Sequence, residues 1–356
     1  MLNETIEVLA HNRIDEASLD RYLAAHLPGY AGELKVRQFP GGFSNPTYAL
    51  DARMADGTRR DFVMRKRPAG KLLPSAHQVD REFRVITALQ GTGVPVPRTH
   101  FLCEDPEVLG QSFFVMDHVP GRIFGDPSMP GCSPSERRTV YGQLMDTLAR
   151  LHGVDPAAVG LADYGKPNDF LPRFVDRWLR QYRASQTDDV PEMEQLAEWL
   201  LANLPPAQPA CVMHGDFRLG NLIVHPTEPR VVAVLDWELS TLGDPFCDVA
   251  YACLVYHLRE GPIGLEGADW RALGIPSEQE QVRRYCAARG IDNVPHWDFY
   301  MAVNLFKLAA NAQGAYKRAL DGIGSSAALS RKPHVARRAR MACRLAGLPV
   351  TETETP

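Results

Sequence analysis

HGDFRLGNLIVHPTEPRVVAVLDWELSTLGDPFCD, residues 214–248, sets an aspartate, an asparagine five residues later and a second aspartate behind an apolar run into one short span. Asp216 can accept a proton, while Asn221 and Asp236 offer hard oxygen ligands of the kind Mg²⁺ takes. That is the equipment needed to hold Mg-ATP and deprotonate a hydroxyl. The tripeptide His214-Gly215-Asp216 carries little alone; the full spacing in a strand-and-turn context carries the reading. Short strands are expected at 211–213, 222–224 and 231–235, and Asp244-Pro245 reads as a helix start with proline at its first position.

Outward from that stretch, the chain is 356 residues long and 45% apolar, enough for a sizeable core and about two domains or lobes. A net charge of −4 gives no general call for nucleic acid. MLNETIEVLAHNRIDEASLD at the N-terminus carries acids and no apolar core, so no secretory or mitochondrial leader is expected. No window approaches the run of about 18 apolar residues that a membrane helix needs. The seven cysteines (103, 132, 211, 247, 253, 286 and 343) show no CxxC pairing and read as reduced thiols of a cytoplasmic protein. Charge is uneven, however. From Ala252 to Pro356 there are 14 Lys and Arg against 10 Asp and Glu, with Arg331, Lys332, Arg337, Arg338 and Arg340 close together. These basic residues form a solvated helix face or border a site for an anionic acceptor.

Residues 15–27 read as an amphipathic helix, with Leu19, Tyr22, Leu23 and Leu27 at helical spacing. Strand-like runs follow at 34–40, 47–54 and 59–67, with Asp56-Gly57 as a hairpin turn. A helix is expected over 79–90, and the segments 93–105 and 111–121 complete a sheet of about five strands. Past Gly121 helical patterns dominate. The spacing therefore predicts an α+β fold: a small sheet-rich N-terminal lobe over 1–116, an extended connector over 117–123 and a larger, mostly helical lobe over 124–356. A cleft between two such lobes is where ligands tend to bind.

GGFSNPTYAL (41–50), FVMRKRPAGKLLPSAHQVDREFRVI (62–86), HGDFRLGN (214–221) and LDWELSTLGDPFCDVA (235–250) together resemble the aminoglycoside phosphotransferase family, relatives of the protein kinases. Within it the chain is most similar to the kinase-like domain fused to some acyl-CoA dehydrogenases. The resemblance implies a two-lobed protein-kinase-like fold, ATP and Mg²⁺ as cofactors, and transfer of a phosphoryl group to a small-molecule hydroxyl. It places Ser44 and Asn45 in a phosphate-binding loop and Arg65 against the ATP phosphates, paired with Glu82 on the following helix. Lys66 is the rival cation if the strand register slips by one. Met116-Asp117-His118-Val119 resembles the hinge that bonds adenine through backbone, at Asp117 and Val119.

By the same resemblance Asp216 is the base, Arg218 is placed to neutralise the transferring phosphoryl, and Asn221 and Asp236 clamp Mg²⁺. His214 is expected to brace the loop, and Asp248 to bond back to it. DWE stands where kinases have DFG, and no APE-type segment follows, which argues against a protein kinase. Aminoglycosides are polycations whose pockets need carboxylates, so the basic C-terminal third points to an anionic acceptor, a hydroxyacyl-CoA or hydroxy acid. An aminoglycoside or other amino-alcohol kinase is the alternative, and a nucleotide-binding pseudokinase the second. The latter's usual signature, loss of the base or a metal ligand, is missing here.

Overall fold

Alternation along the strands decides which helix covers which face of the N-terminal sheet. The structure is a computed structural model that describes residues 4–40, 45–68, 78–166, 168–259, 264–322 and 326–350. Its first elements are α1 (Glu16–His26), β1 (Lys35–Gln38), β2 (Thr47–Arg53), β3 (Arg59–Lys66), α2 (Val79–Leu89), β4 (Thr99–Cys103), the short α3 (Pro106–Leu109) and β5 (Phe113–Asp117). The strands form one antiparallel sheet in the order β1-β2-β3-β5-β4. Phe62 and Met64 on β3, with Phe113 and Val115 on β5, join Leu19, Leu23 and Leu27 from the α1 region in one buried cluster. Full burial of each such leucine contributes about 1.5–3 kcal/mol. The intervening β3 residue Arg65 points to the opposite side, where α2 lies, as period-2 geometry requires.

The later elements are α4 (Pro134–His152), α5 (Phe170–Ser185), α6 (Pro191–Ala202), β6 (Cys211–Met213), β7 (Leu222–Val224), β8 (Val231–Val234), β9 (Thr241–Gly243), α7 (Pro245–Cys253), α8 (Glu278–Arg289), α9 (Trp297–Leu320) and α10 (Lys332–Leu345). β6 pairs with β9 and β7 with β8, each antiparallel. Ser133 caps α4 through its side chain and Asp244 caps α7, each followed by proline at the first turn. The seven cysteines are unpaired, and burial pushes the thiols of Cys211, Cys247 and Cys253 well above their ordinary range, so these three pack as small hydrophobes.

The chain forms two compact units. One comprises the described residues within Met1–Ala162, Arg218–Ser240 and Asp269–Ser277; the other those within Asp163–Phe217, Thr241–Ala268 and Glu278–Pro356. The first holds the five-stranded sheet, α1 to α4 and the β7–β8 hairpin. The second is helical apart from β6 and β9, and α9 is its central helix, buried along most of its length against α5, α7 and α10. In the first unit, the segment after β5 runs beside β7: Arg122 and Val224 exchange backbone hydrogen bonds of 2.7 and 2.9 Å. Gly121 makes that approach possible, since a Cβ there would lie 2.3 Å from Ile223 Cγ2 and 2.5 Å from the Val224 carbonyl oxygen. Among the described residues, no helix is long and apolar enough to cross a membrane.

Candidate active site

Most of the residues the sequence singles out for nucleotide and metal lie within the first unit. Arg65, from β3, extends Nη1 to within 2.7 Å of Glu82 Oε1 on α2, and Nη2 to 3.5 Å from Asp236 Oδ1. The Arg65 side chain is 10% exposed and that of Glu82 1%, so the pair sits out of water. Burial works to lower the guanidinium's pKa, but the carboxylates of Glu82, Asp236 and Glu238 outweigh it and hold Arg65 above its ordinary value. Burial also raises the Glu82 carboxyl, against the pull of Arg65. Arginine keeps its proton at any working pH, so the cation of this group is permanent. Arg65, not Lys66, makes the pair: burial lowers the Lys66 ammonium, whose contact is with the Arg67 carbonyl at 3.5 Å.

Asp236 ends the β8 segment in a left-handed backbone conformation, φ 67°, uncommon for a residue with a side chain. In the turn that follows, Trp237 is buried and its indole N–H donates to the Val234 carbonyl at 3.0 Å. α2 packs against this turn, which brings Glu82 to the Asp236 side. Asn221 is buried next to it in the ladder, its carbonyl accepting from the Leu235 N–H at 2.8 Å. Asp236 and Asn221 thus come from adjoining strand ends. Among the described residues no group of three or more His, Cys, Asp or Glu could hold a metal by itself. One carboxylate and one carboxamide suit a cation that takes its remaining oxygens from phosphates and water, as Mg²⁺ does. Arg65 Nε and both amide atoms of Asn45 are buried without a hydrogen-bond partner, polar atoms suited to a polar ligand. Ser44, the other loop residue expected at the phosphates, lies outside the described residues.

On the connector, the Asp117 carboxylate is engaged by His100 Nε2 at 2.6 Å and its N–H by the Arg98 carbonyl at 2.8 Å. His118 stacks on Phe39, ring centroids 6.4 Å apart. No backbone carbonyl among the described residues accepts the Val119 N–H. Arg218 is exposed and folds over Gly220, where an added Cβ would meet its Nη1 at 2.5 Å.

Asp216 belongs to the second unit, which changes over to the first between Phe217 and Arg218. Gly215, at φ 82°, turns the chain out of β6. Asp248, buried on α7, accepts the N–H groups of His214 at 2.6 Å and Gly215 at 2.9 Å, and His214 Nδ1 accepts the Asp216 N–H at 3.2 Å. The expected bracing roles of His214 and Asp248 are therefore present. Two further residues, absent from the sequence reading, meet this loop. Tyr251 donates its hydroxyl to Asp216 Oδ1, and Lys307 donates to the Gly215 carbonyl. Tyr251 follows Asp248 by one helical turn, and Lys307 is a lone cation inside the apolar run FYMAVNLFKLAANA. Those were the available signals.

Comparison with known proteins shows the family. The family model of the phosphotransferase enzyme family (APH) matches residues 35–303. The mouse acyl-CoA dehydrogenase family member 10 is 48% identical over 318 residues, covering 88% of this chain but only 29% of its own length. A crystal structure from Ralstonia eutropha JMP134, solved as a candidate aminoglycoside phosphotransferase, matches with TM-score 0.84 and 41% identity, over 94% of this chain and 99% of that one. The spectinomycin phosphotransferase solved with ADP and spectinomycin shares the fold, with TM-score 0.60 at 12% identity over 94% of this chain and 99% of that one. Sheet, helices and matched residues lead to one assignment: the chain belongs to the phosphotransferase enzyme family, as a small-molecule phosphotransferase with an alcohol group as acceptor.

Proposed function

We propose that this phosphotransferase uses ATP and Mg²⁺ to phosphorylate an anionic small-molecule alcohol, a hydroxyacyl-CoA or a hydroxy acid. The observation that carries the nucleotide half is the buried Arg65–Glu82–Asp236 set, a fixed cation beside a carboxylate held in an uncommon backbone conformation. Arg65 holds phosphate oxygens, and Glu82 fixes its orientation. Asn45 and Ser44 contribute polar side chains to the phosphate loop, and the backbone of Asp117 and Val119 receives the base. Asn221 and Asp236 hold Mg²⁺, which when bound supplies charge neutralisation of the phosphates. Asp216 accepts the acceptor's hydroxyl proton as its oxygen bonds to the γ-phosphorus and the bond to ADP breaks, and Arg218 faces the transferring group.

The acceptor class rests on charge. The chain from Ala252 onward carries 14 Lys and Arg against 10 Asp and Glu, a poor match to a polycation. The mouse relative is named as an acyl-CoA dehydrogenase family member, which supports the same class. The Ralstonia structure favours the second reading, an amino-alcohol kinase. An ADP-release screen with Mg-ATP distinguishes them, using 3- and 4-hydroxyacyl-CoAs, free hydroxy acids, choline-like alcohols and aminoglycosides. Turnover is expected with the CoA or carboxylate alcohols. Preference for cationic sugars overturns the acceptor class, and no acceptor-dependent ADP release with any compound leaves only nucleotide binding.

A further inference from the structure

The second unit surrounds Asp216 with more apparatus than a surface loop needs. The loop is held from two helices at once. α7 presents Asp248 and, one turn later, Tyr251; the first takes the loop's N–H groups and the second gives its hydroxyl to Asp216 Oδ1. α9 presents Asn304 and, one turn later, Lys307. Asn304 Nδ2 donates to the Cys247 carbonyl at 2.9 Å and so registers α9 on α7, while Lys307 reaches the Gly215 carbonyl. The Lys307 ammonium also stands 4.0 Å from the centroid of the Tyr251 ring.

Lys307 is 3% exposed, between Phe306 and apolar neighbours. Packing alone would be served better by methionine or leucine, because a buried ammonium carries a desolvation cost. What faces it explains its presence: the carboxylates of Asp216 and Asp248, the Gly215 carbonyl and the Tyr251 ring, with the Arg177 cation opposing it. A cation over the ring draws density from the phenol, making Tyr251 a stronger donor.

We infer that Tyr251 and Lys307 are positioning residues for Asp216: Tyr251 fixes the orientation in which the Asp216 carboxylate meets the acceptor hydroxyl, and Lys307 locks both Tyr251 and the Gly215 carbonyl behind it. Neither touches the reacting atoms in this assignment; both act through Asp216. A carboxylate that is already oriented meets its proton with less loss of freedom, an effect on turnover rather than on nucleotide affinity. The inference rests on the reading of Asp216 as the base.

The test is ADP release from Mg-ATP by the full chain with water as acceptor, for wild type, Tyr251→Phe, Lys307→Met and Asp216→Ala. Tyr251→Phe keeps the ring under Lys307 and removes only the hydroxyl. It is expected to lower kcat by about tenfold or more, with KM for Mg-ATP within about twofold of wild type. Its melting temperature is expected to stay within about 2 °C, and Lys307→Met is expected to show the same split between kcat and KM. Wild-type kcat in Tyr251→Phe overturns the inference, as does a fall in kcat matched by a comparable rise in KM or by unfolding. If Lys307→Met does not fold, Tyr251→Phe decides alone. Asp216→Ala separates the two levels: a dead Asp216→Ala beside an unaffected Tyr251→Phe removes only the positioning roles. A fully active Asp216→Ala removes the base reading and this inference with it.

Discussion

Arg65 and Glu82 show what a single residue pair contributes. An arginine buried at 10% exposure is tolerable only with its carboxylates in place, so removing one partner strands a charge. Glu82→Ala is expected to cost about 3–5 kcal/mol in urea unfolding, whereas the double change Arg65→Met with Glu82→Met costs far less, being close in volume and free of buried charge. Equal losses in the two proteins would contradict the ionic account. This pair entered the sequence reading through the family resemblance: alternation on FVMR sets only the face of Arg65, and read alone both charges suit a surface. Tyr251 and Lys307 were not, because their meaning arises from tertiary contact: Lys307 lies 91 residues beyond Asp216 on another helix. Asp236's left-handed backbone, in the turn whose buried Trp237 bonds back to Val234, was likewise not read from the sequence.

Elements whose pattern is local were legible. The five strands, α1, α2 and the proline start of α7 follow from alternation, helical spacing and capping chemistry. β9 was missed: Thr241-Leu242-Gly243 is too short to show alternation, and only pairing with β6 makes it a strand. Asp244 at the start of α7 carries a pH signature. Burial raises its carboxyl from an ordinary 3.8 to about 6, against the hydrogen bonds from Tyr300 and the Phe246 N–H. The sign follows from linkage. A raised folded pKa means that this group's contribution is fully present below about pH 3.8 and is lost as pH rises through about 6, a change on the order of 3 kcal/mol. Asp244→Asn keeps one acceptor oxygen for the Phe246 N–H, turns an amide donor to the Tyr300 hydroxyl, and cannot ionise. Thermal melts from pH 4 to 8 are expected to show wild type losing stability relative to this variant across that window. A constant difference would remove Asp244 as the source.

At the scale of the whole molecule, the HGDFRLGN run passes from one compact unit to the other between Phe217 and Arg218, so the candidate base and the candidate metal residues belong to different units. The residues proposed for the nucleotide rest on β3, α2 and the Trp237 turn, and the proposed base is held by α7 and α9. The spacing of the candidate base and metal residues is compressed into one short stretch and so is visible in the sequence, whereas no comparably compact pattern marks an acceptor, although the family match runs to residue 303. The chain spans 29% of the length of the mouse relative it matches. The direct test is Asp216→Ala, with Mg-ATP-analogue binding and acceptor-dependent ADP formation measured on the same preparation. The account predicts nucleotide affinity within about threefold of wild type and turnover lowered by about 10²–10⁴. Phosphorylation of the acceptor at the wild-type rate by Asp216→Ala would contradict it.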